Sequence, residues 1–327
     1  EVTARALAMA GLDARGPREA GVVLGTTAGS ALHFLASYAA SRGQAGRETG
    51  GNLTQDAAPC DRDDYFAANL ALELVPGAGG PRLTVTDACT SGADAVGLAA
   101  DLIATGQCPC VVCGGADALS LVPHTGFARL MIASDAPCRP FDRDRKGLNL
   151  GEGAAALVLE STEHARRRNA PVLGRVLGFG SAADAHHFTA PHPEGRGLAD
   201  AIGTALARAG LDAADMAFVN AHGTATREND RVEGRLLHAL LPHTPVWGSK
   251  GGTGHTLGAA GALETVLTLA ALREGIVPAT PGFDAIDPEI GFAPTQRPQT
   301  AGSAFALSSS LGFGGGNAAL VLGRGDA

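Results

Sequence analysis

Three short segments of this chain combine a strand-like run with residues that can do chemistry. The first is Thr84-Val-Thr-Asp-Ala-Cys-Thr-Ser-Gly-Ala93. A β-branched run enters Cys89, and a small-residue stretch leaves it. That is the pattern of a nucleophile elbow, where a sharp strand-to-helix turn exposes one side chain at a helix N-terminus. Free N–H groups and the positive end of the helix dipole favour a thiolate at such a place. The pattern therefore predicts an activated Cys89, with an inert buried cysteine as the competing reading.

The second segment is Val219-Asn-Ala-His222-Gly-Thr-Ala-Thr226. The third runs from Trp247-Gly-Ser-Lys250 through His255 to Glu264 and is rich in glycine. A single His in a Gly-rich loop is usually structural, and a single Lys is usually a solvated charge. Three such loops, each after a predicted strand, read differently, because strand ends on one side of an α/β sheet converge on a binding crevice. A cysteine, two imidazoles and an ammonium gathered there suit covalent catalysis by a thiolate.

The elements that must position these loops are short apolar strands and Ala-rich helices. Strands are expected at residues 21–24, 82–86, 111–114, 155–159, 217–220 and 318–322. Helices are expected at 93–105, 197–209 and 259–273, ending at Gly106, Gly210 and Gly275. This alternation predicts an α/β fold with largely parallel sheets. With 46 glycines and 4% aromatic residues, the core must be Ala, Val and Leu with close backbone approach. The segment Leu150-Gly-Glu-Gly-Ala-Ala-Ala-Leu-Val-Leu159 resembles Phe313-Gly-Gly-Gly-Asn-Ala-Ala-Leu-Val-Leu322, 163 residues later (313 − 150). The strand at 82–86 and its helix likewise mirror residues 245–248 and theirs. The chain reads as a duplicated unit, with halves at 1–165 and 166–327.

Composition excludes several classes. A net charge of −8 is a poor basis for nucleic-acid binding, which depends on Lys and Arg neutralising phosphates. No uncharged apolar run reaches the roughly 18 residues of a membrane span, and no secretory signal pattern opens the sequence. Six cysteines in 327 residues are too sparse for a disulfide scaffold and fit a cytoplasmic protein. Cys108, Cys110 and Cys113 lack the partners of a four-ligand metal site and read as small buried strand residues. No metal is expected.

Taken in order, the motifs resemble those of the β-ketoacyl-carrier-protein synthases, elongating ketosynthases of the thiolase superfamily. The resemblance spans nearly the whole chain. It rests on Asp87-Ala-Cys-Thr-Ser-Gly92, on Ala221-His-Gly-Thr-Ala-Thr226, and on Ser249-Lys followed by Gly254-His and Gly258-Ala-Ala-Gly261 up to Glu264. Gly312-Phe-Gly-Gly-Gly-Asn317, Arg139-Pro-Phe-Asp142, Gly151-Glu-Gly153 and the stretch 184–195 also match.

The resemblance implies a thiolase-like duplicated αβαβα layered fold with mixed sheets. It also implies a decarboxylative Claisen condensation, in fatty-acid or type II polyketide or polyene synthesis. Cys89 would carry the acyl group, and His222 and His255 would donate to the enolate of a malonyl thioester. Lys250 would give electrostatic support, paired with Glu264. Backbone N–H groups of Cys89 and Phe313 would hold the acyl oxyanion, and Phe313 would gate the acyl tunnel. Thr224, Thr226 and Gly315 would contact the pantetheine arm. No cofactor is implied, since the substrates ride on the phosphopantetheine of an acyl carrier protein. The partners implied are that carrier and a second subunit, identical or ketosynthase-like; no nucleic acid or membrane is expected.

Two relatives without this activity set the alternatives. A non-decarboxylating thiolase needs a second, late cysteine, and none follows Cys138. A chain-length factor, the silent partner of such synthases, lacks the nucleophilic cysteine; a plain acyl-binding protein would not need one. The sequence also departs from the family. Its opening strand has no counterpart before Glu1, so the chain is either a fragment or lacks that strand. Lys146 stands where Asp is usual, Leu311 replaces a frequent Phe, and Gly316 replaces a frequent Thr, which would loosen the Phe313 loop. His186 and His187 are expected in a structural loop.

Overall fold

A computed structural model describes residues 1–27 and 74–326. Its strands are β1 (Ala20–Gly25), β2 (Arg82–Val85), β3 (Cys110–Asp117), β4 (Gly153–Glu160), β5 (Gly174–Ala183), β6 (Met216–Ala221), β7 (Val246–Gly248), β8 (Ile276–Val277), β9 (Gln299–Thr300), β10 (Phe305–Leu311) and β11 (Gly316–Arg324). Its helices are α1 (Val2–Met9), α2 (Ser91–Ala104), α3 (Leu121–Arg129), α4 (Thr162–Arg167), α5 (Arg196–Ala209), α6 (Arg227–Leu240), α7 (Lys250–Thr253) and α8 (Ala260–Glu274). The expected strands and helices all form, with ends within a few residues of the sequence reading. The helix stops are the glycines named: Gly210 and Gly275 are left-handed caps, and Gly106 closes α2 with φ +73°.

One sheet has the order β2-β1-β3-β4 and the other β5-β11-β10-β6-β7; β8 and β9 form a small ribbon. In the first, β2, β1 and β3 are parallel and β4 is antiparallel. In the second, β7, β6 and β10 are parallel, while β11 and β5 are antiparallel additions. The sheets are thus mixed, and the expectation of largely parallel sheets is corrected. The reason is local: a four-residue Gly-rich turn joins β10 to β11, and a short turn can only produce an antiparallel neighbour. Strands β2-β1-β3-β4 correspond in order and direction to β7-β6-β10-β11, with β4 and β11 starting at Gly153 and Gly316, the spacing read in the sequence.

Both sheets are buried on two faces, so successive strand residues enter different cores. Val23, Val111 and Cys113 of the first sheet and Ala318, Leu320 and Leu322 of the second face a shared inner core. Helix α2, through Ala95, Val96 and Ala99, and α8, through Ala271 and Leu272, fill the space between them. On the outside, Leu7 of α1 packs with Val22, Cys110 and Val112, while α5 and α6 pack with Val219, Leu307, Ala319 and Val321. The layers run α-β-α-β-α, the duplicated arrangement. Cys110 therefore faces away from Cys108 and Cys113, as buried strand residues do.

The two central helices meet at glycine. A Cβ on Gly261 would lie 2.5 Å from the Ala93 backbone N and 2.7 Å from its Cβ. Overpacking of this kind costs about 1–3 kcal/mol, so Gly261→Ala is expected to lower the unfolding free energy by that order. Gly203, exposed in α5 with no atom near its missing Cβ, is the control: Gly203→Ala should raise stability by up to about 1 kcal/mol. Urea unfolding of the two variants checks both signs.

Candidate active site

Beyond β2 the chain reverses sharply. Ala88 has φ +47°, a left-handed conformation that is strained for a residue with a Cβ. Side chains hold the turn: Asp87 N–H donates to Ser91 Oγ (2.8 Å), Ser91 Oγ–H to Ala88 O (2.7 Å), and Thr90 Oγ1–H to Asp87 O (2.7 Å). Cys89 sits in the single 3-10 turn that leads into α2.

His255 lies between α7 and α8, with Nε2 3.1 Å from Cys89 Sγ. Its Nδ1 accepts from the Leu257 N–H (3.3 Å), so the ring hydrogen is on Nε2 and points at the sulfur. His222 directly follows β6, with its ring 5.2 Å from that of His255 and nearly perpendicular to it. Lys250 Nζ donates to His222 Nδ1 (3.2 Å) and to His222 O (2.5 Å). Nδ1 of His222 is thereby occupied as well, and its hydrogen is also on Nε2. Lys250 is ion-paired with Glu264, whose carboxylate also accepts from Ser249 Oγ–H (3.3 Å). Three separate loops thus bring Cys89, His222, His255 and Lys250 together, with Glu264 behind the lysine.

A cavity of about 420 Å³ opens onto Cys89, His222, His255 and Phe313. Thr224 and Thr226 are on its wall, their hydroxyls 2.9 Å apart. Lys250 and Glu264 stand behind His222, outside the lining. Gly315 does not line the cavity: it is a turn residue with φ +87° whose carbonyl accepts from Asp184 N–H and Asn317 Nδ2–H. Phe313 stacks on Phe127, with centroids 5.4 Å apart. Its loop is tied to the 184–195 segment through Gly314 N–H to Phe188 O (2.8 Å). Gly316 does not leave the loop loose, because it is paired in β11 and Asp87 fills the space a side chain would take, 2.6 Å from a Cβ there. His187 caps its own loop by accepting from Thr189 and Ala190 N–H groups.

Residues 1–165 match the family described as "Beta-ketoacyl synthase, N-terminal domain", and residues 173–284 match "Beta-ketoacyl synthase, C-terminal domain". The chain belongs to the β-ketoacyl synthase family. It is 38% identical over 314 residues to the 3-oxoacyl-[acyl-carrier-protein] synthase 2 of Mycobacterium tuberculosis, covering 93% of this chain and 74% of that one. Among solved structures it resembles the ishigamide ketosynthase/chain length factor (TM-score 0.84, 31% identity, 97% of this chain and 79% of that one). It also resembles a ketosynthase from Xenorhabdus doucetiae in complex with its chain length factor (TM-score 0.76, 30% identity, 98% and 77%). The protein is a condensing ketosynthase. Among the described residues, no helix is long and apolar enough to cross a membrane.

The electrostatics of this ketosynthase site follow from its burial. Loss of water, then the Lys250 charge, push His222 and His255 well below the ordinary imidazole pKa, so both are neutral. Burial pushes the Cys89 thiol up to about 12, opposed by Lys250 and by a hydrogen bond from the Phe313 N–H. This runs against the expectation of a favoured thiolate: in a closed site, desolvation outweighs the lysine and the Phe313 N–H. The N–H donors around the sulfur still matter, because they lower the cost of the anion formed during transfer. Burial also raises Glu264, against the pull of Lys250.

Two supporting acids were not legible in the sequence. Glu233 accepts from His222 N–H (2.7 Å) and Gly223 N–H (2.9 Å) and so fixes the His222 loop; burial holds it up at about 7. Asp117 accepts from Gly258 N–H (2.6 Å) and Thr27 N–H (2.8 Å), tying the turn after His255 to the end of β1. Glu233 falls in the charged run Glu228-Asn-Asp-Arg-Val-Glu233, which by pattern is a solvated helix face. Its only sequence signal is that it lies on the helix directly after the His222 loop.

Neutral buried imidazoles leave a signature in stability. Below about pH 6.5 the unfolded chain binds protons that folded His222 and His255 refuse, so stability falls as pH falls, by up to about 1.4 kcal/mol per pH unit for each. In a His222→Asn/His255→Asn variant, the stability difference between pH 6.5 and 5.5 should shrink by up to about 2 kcal/mol, since each unfolded imidazole is already half protonated at the upper pH. Urea unfolding at the two pH values measures it.

Proposed function

We propose that Cys89 is the acyl-accepting nucleophile of a decarboxylative condensation and that His222 and His255 are the enolate donors. The observation that supports this best is the shared tautomer: both rings have Nδ1 occupied and bear their hydrogen on Nε2, that of His255 lies 3.1 Å from Cys89 Sγ, and the His222 ring stands 5.2 Å from the His255 ring on the same cavity. In the first half-reaction, Sγ attacks an acyl thioester, the carrier thiol leaves with the proton, and an acyl-Cys89 thioester remains. In the second, a malonyl thioester loses CO₂. The resulting enolate oxygen takes hydrogen bonds from the two Nε2–H groups, and its carbon attacks the acyl carbonyl. The N–H groups of Cys89 and Phe313 hold that oxyanion; its collapse expels Cys89 as the thiolate, which takes a proton from water to return to the thiol. Preorganised donors of this type usually supply the largest share of such catalysis.

Lys250, held by Glu264, fixes the His222 tautomer and adds positive potential; it is not a base. Thr224 and Thr226 are placed for the amides of the pantetheine arm, and Phe313 for gating the acyl chain. Gly315 shapes the gate loop. The substrates are acyl groups on an acyl carrier protein, in a cytoplasmic fatty-acid or polyketide pathway. The halves divide at 165/166. The assembly is a dimer, with an identical or a chain-length-factor-like partner. The ketosynthase/chain-length-factor relatives support this, as does the position of β2 at the edge of its sheet.

Radiolabelled acyl transfer measured alongside CO₂ release separates the two half-reactions. Loss of one donor costs about 10²–10³ in rate, so His222→Ala and His255→Ala should still acylate Cys89 to some extent but release little CO₂. Cys89→Gln should reverse this, with no acylation but retained or raised decarboxylation, because its amide mimics the acyl thioester. Parent-rate decarboxylation by His255→Ala would refute the donor assignment.

A further inference from the structure

Lys146 departs from the family pattern, and the structure puts it in a particular place. Its neighbour Arg145 is buried, with its charge offset by an ion pair with Asp287 and by Asp230 at 4.0 Å. Arg145 also donates to the carbonyls of Thr226 (3.3 Å) and Arg227 (3.0 Å), clamping the 145–146 backbone to the start of α6. Lys146 and Arg227 are thereby brought to the wall of the same cavity that ends at Cys89, and both are exposed. Among the described residues neither has an ion-pair partner. The lining also holds two acids: Glu228, paired with Arg231 (2.6 Å), and Asp184, whose carboxylate accepts from the His192 (2.9 Å) and Gly197 (3.2 Å) N–H groups. On a chain of net charge −8, the cavity wall thus carries two exposed cations without a close ion pair, although the Arg227 charge also acts on Asp287. Exposed cations whose neighbouring acids are already bonded elsewhere attract an anionic ligand.

We propose that Lys146 and Arg227 form a phosphate-recognition pair at the mouth of the cavity, holding the phosphodiester of the pantetheine arm while its thioester reaches Cys89. This deepens the functional reading above and rests on it. Two cations on independent stems can approach a phosphate from different sides, and charge-assisted hydrogen bonds to its oxygens are the strong kind. The acidic residue usual at position 146 would oppose the same group. In this chain the arm would be recognised by its charge as well as by the hydroxyls of Thr224 and Thr226 deeper in.

The test is the rate of Cys89 acylation by three thioesters bearing one acyl group: acyl-pantetheine, acyl-phosphopantetheine and acyl-coenzyme A. The readout is the ratio of kcat/KM for the phosphorylated arm over the unphosphorylated one, which a general loss of folding or catalysis does not move. The parent protein should favour the phosphorylated arm, and added salt should reduce that preference. Lys146→Gln and Arg227→Gln should each lower the ratio about tenfold or less, at the low end for hydrogen bonds to a charged group, and the double variant should bring it near one. An unchanged ratio in the double variant overturns the proposal, as does a parent ratio of one. A large further gain with coenzyme A, lost in the same variants, would overturn the assignment to the arm's own phosphate in favour of the nucleotide end. Acylation by none of the three would overturn the role of Cys89, and this proposal with it.

Discussion

Two helices approach only as closely as the atoms between them permit, and here α2 and α8 meet at backbone contact. A Cβ on Gly92 would lie 2.7 Å from both Ala262 N and Gly258 O, and one on Gly261 would collide with Ala93. Gly258 is itself pressed on the end of β1, where a Cβ would stand 2.4 Å from Thr27 N. These contacts fix the distance between the turn before α2, which carries Cys89, and the turn before α8, which carries His255. The 3.1 Å separation of Sγ and Nε2 is a consequence of that crossing. A methyl group at Gly92 or Gly261 would separate the helices, and one at Gly258 would lift the turn before α8 off β1, so each would act on the chemistry as well as on stability. Interiors packed at crystal density have no slack to absorb it.

The same burial sets the charge state of every group in the site. Removing water makes ionisation costly in either direction, so it lowers the imidazoles and raises the thiol together. A site built to present neutral imidazole donors therefore cannot also hold a resting thiolate without a stronger cation beside the sulfur. Lys250 is the cation available, and it is held by His222 and Glu264, while the side chain in contact with the sulfur is His255. The protein keeps its donors preorganised and leaves thiolate formation to the transfer step, where the Phe313 N–H and His255 Nε2–H are already in place.

How much of this was legible in the sequence depended on range. The strands, the helix stops at Gly106, Gly210 and Gly275, and the placing of Cys89, His222, Lys250 and His255 at strand ends follow from local pattern. The motifs could also be assembled into one site without the structure, because strand ends converge. What local pattern could not reveal was anything decided by a distant partner. Strands β4 and β11 look like the other apolar strands, and only their pairing makes the sheets mixed. Glu233 and Arg145 look like solvated charges, and only the His222 loop and the start of α6 give them their roles. The protonation of Cys89 was misjudged for the same reason: the helix end is written in the sequence beside it, whereas the walls that exclude water come from residues 127–148, 222–229 and 311–317.

Duplication explains why the nucleophile and the donors face one another. Strand β2 and helix α2 occupy in the first half the place of β7 and α8 in the second. Pairing two such units through their central helices brings the N-terminal turns of those helices together, whatever residues they carry. In one half that turn bears Cys89; in the other the segment leading into it bears His255, with Lys250 just upstream on α7, while the loop after β6 contributes His222. The site is asymmetric chemistry on a nearly symmetric frame. Neither half contains both Cys89 and the two imidazoles, so the site exists only where the halves meet. The glycines that let them meet are as much a part of the site as the side chains that react.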